Sequence, residues 1–328
     1  MPRCFITGIT GQDGSYLSEL LLEKGYEVHG LVRRHSSLGR SRISHLISDA
    51  DLYDRRLFLH TADFEDPLAL RRVLVKVQPD EIYHLAGQSD VGLSFEMAES
   101  TCRFTALATL ELLEMFRDLP HTPRLFHASS SEIFGQPAQA PQDEQCPVAP
   151  VNPYGCAKAF ATQLTTVYRR SFGVFASNGI LYNHESPRRG ENFVTRKICR
   201  AAAAIKLGRQ TELRLGNMEA KRDWGHARDY VRGMWLALQY SSPGDFVFAT
   251  GQLHTVQDVV EVAFASVQRD WREYVRQDPS LIRTAETGQL VGNPAKAKRL
   301  LGWEPQTGFR EMIVEMTKAE LEAMGDPH

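Results

Sequence analysis

Tyr154-Gly155-Cys156-Ala157-Lys158 sets a phenol and an ammonium one turn apart on the same face of a helix, if that segment is helical. A free phenol keeps its proton up to a pKa of about 10, and a neighbouring ammonium favours the phenolate, so the pair could work as a base near neutrality. Upstream, Ser129-Ser130-Ser131-Glu132 closes an apolar run. Strand alternation would point Ser130 and Glu132 the same way. Ser130 supplies a hydroxyl to hold a substrate oxygen. Glu132 supplies a carboxylate, which a plain alcohol oxidation does not need but which removal of a proton beside a new ketone does. Its structural alternative is a helix cap or a surface acid.

These groups need a frame, and the first half of the chain reads as one. Short apolar runs at 3–7, 27–32, 57–60, 81–86, 124–129 and 174–181 are expected strands, with helices expected at 15–24, 67–78, 97–117 and 154–171. That alternation predicts an α/β fold, a Rossmann-type doubly wound parallel sheet. Gly25 should stop the first helix and Pro67 should start the second. Gly8-Ile9-Thr10-Gly11-Gln12-Asp13-Gly14 follows the first strand and opens the first helix, the context of a dinucleotide phosphate loop. Backbone N–H groups and the helix N-terminus would face the pyrophosphate. The second strand then delivers Arg33 and Arg34 where an NAD site would carry an acid for the ribose hydroxyl; guanidinium there favours a 2'-phosphate, hence NADP. A solvated basic turn is the structural alternative. Asp63 and Phe64 after the third strand, and Leu85-Ala86-Gly87-Gln88-Ser89 after the fourth, occupy strand ends where adenine and nicotinamide should lie. With such a cofactor present, Tyr154 and Lys158 also contact it: the oxidised nicotinamide favours the phenolate, and Lys158 reaches the ribose.

Beyond residue 181 the rhythm changes to isolated helices and short strands: 194–206, 213–215, 230–239, 256–269 and 309–324. Thr255 and Asp258 read as a helix-starting pair. The expected division is a cofactor-binding domain over 1–181 and a mainly substrate-binding portion over 182–328, the two free to share strands and core, with no repeat or linker between them. The 328 residues suffice for this, and a formal net charge of -2 argues against nucleic acid as a partner. Five scattered cysteines without a C-x-x-C spacing predict reduced thiols, no metal site and a cytoplasmic enzyme, and no apolar run suggests a signal peptide or membrane helix.

Taken together these residues resemble the extended short-chain dehydrogenases. Three later segments, Asn183-His184-Glu185-Ser186-Pro187-Arg188-Arg189-Gly190, Phe193-Val194-Thr195-Arg196-Lys197, and 220–230 from Ala220-Lys221-Arg222 onward, resemble the GDP-mannose 4,6-dehydratase family. The resemblance runs nearly end to end. It implies that Ser130, Glu132 and Tyr154 are catalytic with Lys158 in support, and that His184 and Arg189 join the cofactor contacts. Ser89, Asn183, Val194, Lys197, Arg222, Arg283 and Glu286 fall where the family holds a GDP-sugar. The Arg33 to Arg42 loop resembles a segment that reaches a neighbouring subunit, implying a homotetramer or dimer. Departures from the family pattern are Ser130 for threonine, Ser100 for tyrosine, and Arg283-Thr284-Ala285-Glu286-Thr287-Gly288 at the nucleotide pocket. The implied chemistry is oxidation at C4 of a hexose, loss of water across C5 and C6, and return of the hydride at C6. The alternatives are a longer GDP-sugar such as a heptose, a UDP-uronate decarboxylase or epimerase that begins with the same C4 oxidation, and a non-catalytic NADP-binding sensor.

Overall fold

The computed structural model describes residues 1–33, 38–281 and 288–325. Arg34, Arg283 and Glu286 lie outside the described residues.

Six strands from the first half, β1 (Arg3–Thr7), β2 (Glu27–Val32), β3 (Leu57–Thr61), β4 (Glu81–His84), β5 (Arg124–Ser130) and β6 (Ala176–Leu181), form a parallel sheet. Three short strands, β7 (Asn183–Glu185), β8 (Leu213–Leu215) and β9 (Lys221–Arg222), and β10 (Trp224–His226) follow, before β11 (Asp245–Phe248) returns to pair in parallel with β6. The sheet order is therefore β3-β2-β1-β4-β5-β6-β11, the doubly wound arrangement whose crevice opens where the order reverses, between β1 and β4. The central strands are buried along nearly their whole length, as strands covered by helices on both faces must be.

The expected elements are found with shifted ends. The first helix spans Gln12–Glu23 and starts three residues early, because extended Gly11 takes the cap position. Gly25, at φ +81°, ends the turn beyond it as expected. Pro67 sits in the first turn of helix Pro67–Val77, behind an Asp66 cap that accepts the Ala69 N–H. The helix expected over 97–117 is interrupted: a π-helical turn, Arg103–Leu107, separates Ala98–Cys102 from Ala108–Phe116. The pair at Thr255 and Asp258 is a reciprocal capping box for helix Val256–Ser266.

β11 comes from past residue 181, so the main sheet is completed by the second half of the chain. One core joins both halves: Ile6, Leu17 and Leu21 from the first pack with Tyr230, Met234, Phe248 and Trp303 from the second. Burying each such large side chain stabilises the fold by about 2–3 kcal/mol. Helix Ala227–Gln239 lies against helix Gln12–Glu23, which fixes the second half over the phosphate loop. Helices Val194–Lys206, Val256–Ser266 and Phe309–Ala323 build a separate core around Ile198, Ala202, Phe264 and Met316. Among the described residues no helix is long and apolar enough to cross a membrane.

Candidate active site

The carboxyl ends of β1, β4, β5 and β6 open into a cavity of about 580 Å³, roofed by residues from the second half. At its floor, Gly8 adopts φ +79°, and a Cβ there would sit 3.0 Å from the Ala86 amide nitrogen. Only glycine lets β1 and β4 approach this closely. A Cβ on Gly14 would lie 2.3 Å from the Gly8 carbonyl oxygen, so the helix also rests directly on the turn. The Thr7 hydroxyl binds the two strand ends together, accepting from the Leu85 and Ala86 amides at 3.2 Å each and meeting His84 Nδ1 at 2.8 Å. With both amides donating, that hydroxyl donates to the imidazole, leaving His84 neutral; burial, then the Lys158 charge, pushes its pKa down to about 3.

Helix Pro153–Phe172 carries Tyr154 and Lys158 into the cavity, both buried. Lys158 Nζ donates to the Ala128 carbonyl at 2.7 Å, and burial lowers its pKa to about 8. Its Nζ lies 5.9 Å from the Tyr154 ring centroid. Burial sends the Tyr154 phenol up to about 12, with Ser130 opposing the rise and Glu132 adding to it. In the absence of a cofactor the ammonium is occupied by a carbonyl, and desolvation of the phenolate outweighs its attraction.

Ser130 and Glu132 both line the cavity, though by a different route from strand alternation. β5 ends at Ser130, and a tight turn, Ser131–Phe134, carries Glu132 onward. Ser130 Oγ accepts the Glu132 N–H at 3.2 Å. Asn152 Nδ2 donates to Glu132 Oε2 at 2.8 Å, while its Oδ1 accepts the Gly155 N–H at 2.7 Å and caps the catalytic helix. Sequence reading missed Asn152; Asn-Pro before a helix signals a cap, but nothing in the sequence ties it to Glu132.

Asp13 and His184 pair with each other at 2.9 Å. His184 Nδ1 also meets the Tyr182 carbonyl at 2.7 Å, so both ring nitrogens face acceptors, the arrangement of an imidazolium. Burial opposes both charges, but the mutual attraction and hydrogen bond prevail, holding the Asp13 carboxyl below its usual range and His184 above its own. Gln12 donates to the His184 carbonyl at 3.0 Å, joining helix Gln12–Glu23 to β7. Arg189 stacks on Phe193 at 3.6 Å, with its Nε 3.2 Å from Glu185.

Of the residues singled out from the sequence, Gly11, Gly87, Gln88, Ser89, Asn183, Val194, Lys197 and Arg222 also line this cavity, together with Leu85. Lys197 Nζ donates to the Arg214 carbonyl at 2.9 Å, and Arg222 to that of Lys221 at 2.7 Å. Thr10, Arg33, Asp63, Phe64 and Ala86 are not on its wall. Arg33 is exposed after β2, Asp63 accepts the Glu65 amide at 3.3 Å, and Phe64 packs edge-on against His84. Arg42, named in the sequence as the end of the Arg33 to Arg42 loop and not as a site residue, does reach the wall and donates to the Arg188 carbonyl at 2.7 Å.

Comparison with known proteins places this geometry. The chain is 24% identical to a dTDP-glucose 4,6-dehydratase from Streptomyces venezuelae solved with NAD and TYD bound, at a TM-score of 0.86 covering 98% of this chain and 97% of that one. It is 22% identical to RMD from Pseudomonas aeruginosa complexed with NADPH, at a TM-score of 0.80 covering 98% and 100%. These likenesses establish the fold. In sequence it is 49% identical to GDP-mannose 4,6 dehydratase 2 of Arabidopsis thaliana over 98% of this chain and 88% of the relative. With the human GDP-mannose 4,6 dehydratase it shares 44% identity over 98% of this chain and 93% of the relative. The profile of the family described as GDP-mannose 4,6 dehydratase matches residues 5–316, and with that span and those identities the chain belongs to this family.

Proposed function

We propose that this protein is an NADP-dependent hydro-lyase that converts GDP-mannose to GDP-4-keto-6-deoxymannose. The observation that carries the reading is a carboxylate, Glu132, on the wall of the cavity that also holds Tyr154, Ser130 and Lys158.

The residues present fit a dinucleotide. The glycine turn leaves a backbone cradle that any Cβ would fill, and the Gln88 Oε1 atom is buried at the cavity without a partner among the described residues. Gly8, Gly11 and Gly14 would hold the pyrophosphate, with Thr10, Gln12 and Asp13 beside it. Asp63, Phe64 and Leu85 to Gln88 would line the adenosine and nicotinamide ends, with His184 and Arg189 closing over them. Arg33 is the candidate partner of a 2'-phosphate, which is the basis for preferring NADP to NAD. When bound, the nicotinamide supplies a hydride acceptor for C4 of the sugar and later the donor for C6.

The chain's own groups do the proton work. Tyr154 takes the C4 hydroxyl proton while Ser130 hydrogen-bonds the same oxygen and Lys158 holds the neighbourhood positive. The resulting ketone acidifies C5. Glu132 takes the C5 proton and delivers it to the departing C6 hydroxyl, which leaves as water, and the proton that Tyr154 took from O4 is returned to C5 as C6 is reduced. Ser89, Asn183, Val194, Lys197 and Arg222 are the proposed sugar-nucleotide contacts, the cations facing its pyrophosphate. Residues 1–181 with β11 form the cofactor half, and most of 182–328 forms the substrate half.

The protein acts as a dimer or tetramer in this reading. Phe160 and Val167, two turns apart on helix Pro153–Phe172, are 46% and 49% exposed, and Leu107, at the end of the π-helical turn Arg103–Leu107 that packs against that helix, is 44% exposed, the kind of apolar surface that a second copy covers. All five cysteines are unpaired thiols, which suits a cytoplasmic enzyme.

The test is incubation with GDP-mannose and NADP, followed by mass analysis of the nucleotide sugar. The expected product has lost one water, and label from C4-deuterated substrate appears at C6. Glu132→Gln should lower turnover by about 10²- to 10⁴-fold, as loss of a general base does. No dehydrated product with wild-type protein, or full turnover in the Glu132→Gln variant, refutes the proposal.

A further inference from the structure

We infer that Asn152 is a positioning residue for the elimination base: its single side-chain amide fixes the Glu132 carboxylate to the N-terminus of the helix that carries Tyr154 and Lys158. The inference rests on the proposed role of Glu132 and adds what aims it.

Asn152 is 5% exposed, and both ends of its amide are used. Oδ1 accepts the Gly155 N–H at 2.7 Å, and Nδ2 donates to Glu132 Oε2 at 2.8 Å. The reverse orientation would set an N–H₂ against an N–H and a carbonyl oxygen against a carboxylate, so the network itself selects this one. The backbone is fitted to the same purpose. The Glu132 carbonyl oxygen lies 2.6 Å from where a Gly155 Cβ would stand, so the turn bearing the base rests directly on the first turn of the catalytic helix. Glu132 has several side-chain torsions and follows a tight turn, so without a tie its carboxylate would sample rotamers that miss C5. The Asn152 bond fixes one carboxylate oxygen and leaves Oε1 without a hydrogen bond to any described residue. That oxygen is the one available to take a proton, and it is held in register with the phenol because both hang from the same helix start.

A cap alone predicts a different outcome from a tie, and two substitutions separate them. Asn152→Asp keeps an acceptor for the Gly155 N–H, and aspartate is as good a cap as asparagine, but it sets a carboxylate where Glu132 had a donor. Asn152→Ala loses both cap and tie. If Asn152 only caps, the alanine variant is the worse enzyme and the aspartate variant is normal. If it aims Glu132, the aspartate variant has the lower kcat, by about 30- to 100-fold, with KM little changed, although it melts at the higher temperature of the two. In the aspartate variant, a primary isotope effect from C5-deuterated GDP-mannose should also rise, because C5 proton removal becomes slow, while early reduction of the cofactor continues. Asn152→Asp turning over within about threefold of wild type, or an alanine variant with the lower kcat, overturns the inference. Glu132→Gln measured alongside keeps the two ideas apart. If that variant stays active, the role given to Glu132 falls; if it is inactive while Asn152→Asp is normal, only the role of Asn152 falls.

Discussion

Replacing Lys158 by methionine should make the protein more stable and inactive at once. The ammonium is buried, and its pKa falls from 10.5 to about 8 for that reason. Between those two values the unfolded chain binds more protons than the native one, so the free energy of unfolding rises with pH across that window. Below it the native state carries the full penalty of a buried charge; above it the penalty is gone. At about 1.4 kcal/mol per pKa unit, the penalty at neutral pH is roughly 3 kcal/mol. Methionine fills a similar volume without a charge but gives up the bond to the Ala128 carbonyl, 2.7 Å long, worth about 1–2 kcal/mol. Lys158→Met should therefore gain about 1–2 kcal/mol near neutral pH, while turnover falls by about 100-fold or more. The assay is urea unfolding of both proteins from about pH 6 to pH 10.5, taken as a difference between them. The buried thiols of Cys4, Cys146 and Cys199, whose pKa values burial raises, titrate in both proteins and cancel in that difference. The advantage of the variant must shrink as pH rises from about 8 toward 10.5. A variant less stable than wild type at neutral pH, or a difference that does not change with pH, refutes the reasoning.

The Asp13 and His184 pair makes an opposite prediction about pH. His184, raised above 6.5, contributes stability that is whole below that value and lost as pH climbs through its folded pKa, and Asp13, lowered from 3.8, contributes stability that is whole above that value and lost as pH falls. Asp13→Asn should thus cost most in melting temperature between 3.8 and 6.5 and progressively less toward alkaline pH; a deficit independent of pH counts against the pair. Arg33→Glu should raise KM for NADP by about tenfold or more while leaving NAD nearly unaffected, and an equal loss for both cofactors would remove Arg33 from the 2'-phosphate. Phe160→Asp combined with Val167→Asp should reduce the particle mass seen by light scattering; an unchanged mass, or a wild type that is already monomeric, removes this helix face as an interface.

How far the sequence could be read follows from what each feature depends on. The glycine loop, the Tyr154 and Lys158 pair and six of the strands were legible because they rest on local spacing: strand period, helix period and the backbone freedom of Gly8. The seventh strand was not. Asp245–Phe248 is four residues long, begins just after Pro243-Gly244, and becomes a strand only because the open edge of β6 accepts it. The break at Arg103–Leu107 was equally hidden, since its apolar spacing still resembles a continuous helix. Glu132 was found for a reason that failed, since the strand stops at Ser130, and what brings the carboxylate into the cavity is a turn plus an amide from twenty positions further along. Asp13 and His184, read separately as cofactor contacts, are 171 positions apart, and their ion pair is a product of tertiary structure alone.

The pKa values of the catalytic pair carry a consequence for when the enzyme can act. Burial drives Tyr154 up to about 12 and Lys158 down to about 8, each toward its neutral form. The protein alone therefore keeps the phenol protonated near neutral pH, and Tyr154 in that form cannot take the proton of a C4 hydroxyl. A fixed positive charge placed in the cavity would favour the phenolate, and it would do so strongly because the same dry surroundings that penalise a lone anion strengthen its attraction to a cation. Oxidised nicotinamide carries such a charge and the reduced form does not, so proton removal from O4 should be possible only when a hydride acceptor is in place. The difference in ultraviolet absorbance between wild type and Tyr154→Phe reads this directly. Without cofactor it should show no phenolate at neutral pH, and with oxidised cofactor the phenolate band should emerge at lower pH, whereas reduced cofactor should leave it absent. A phenolate signal of equal size with both forms would mean that the phenol is tuned by the protein after all, and that burial does not control it.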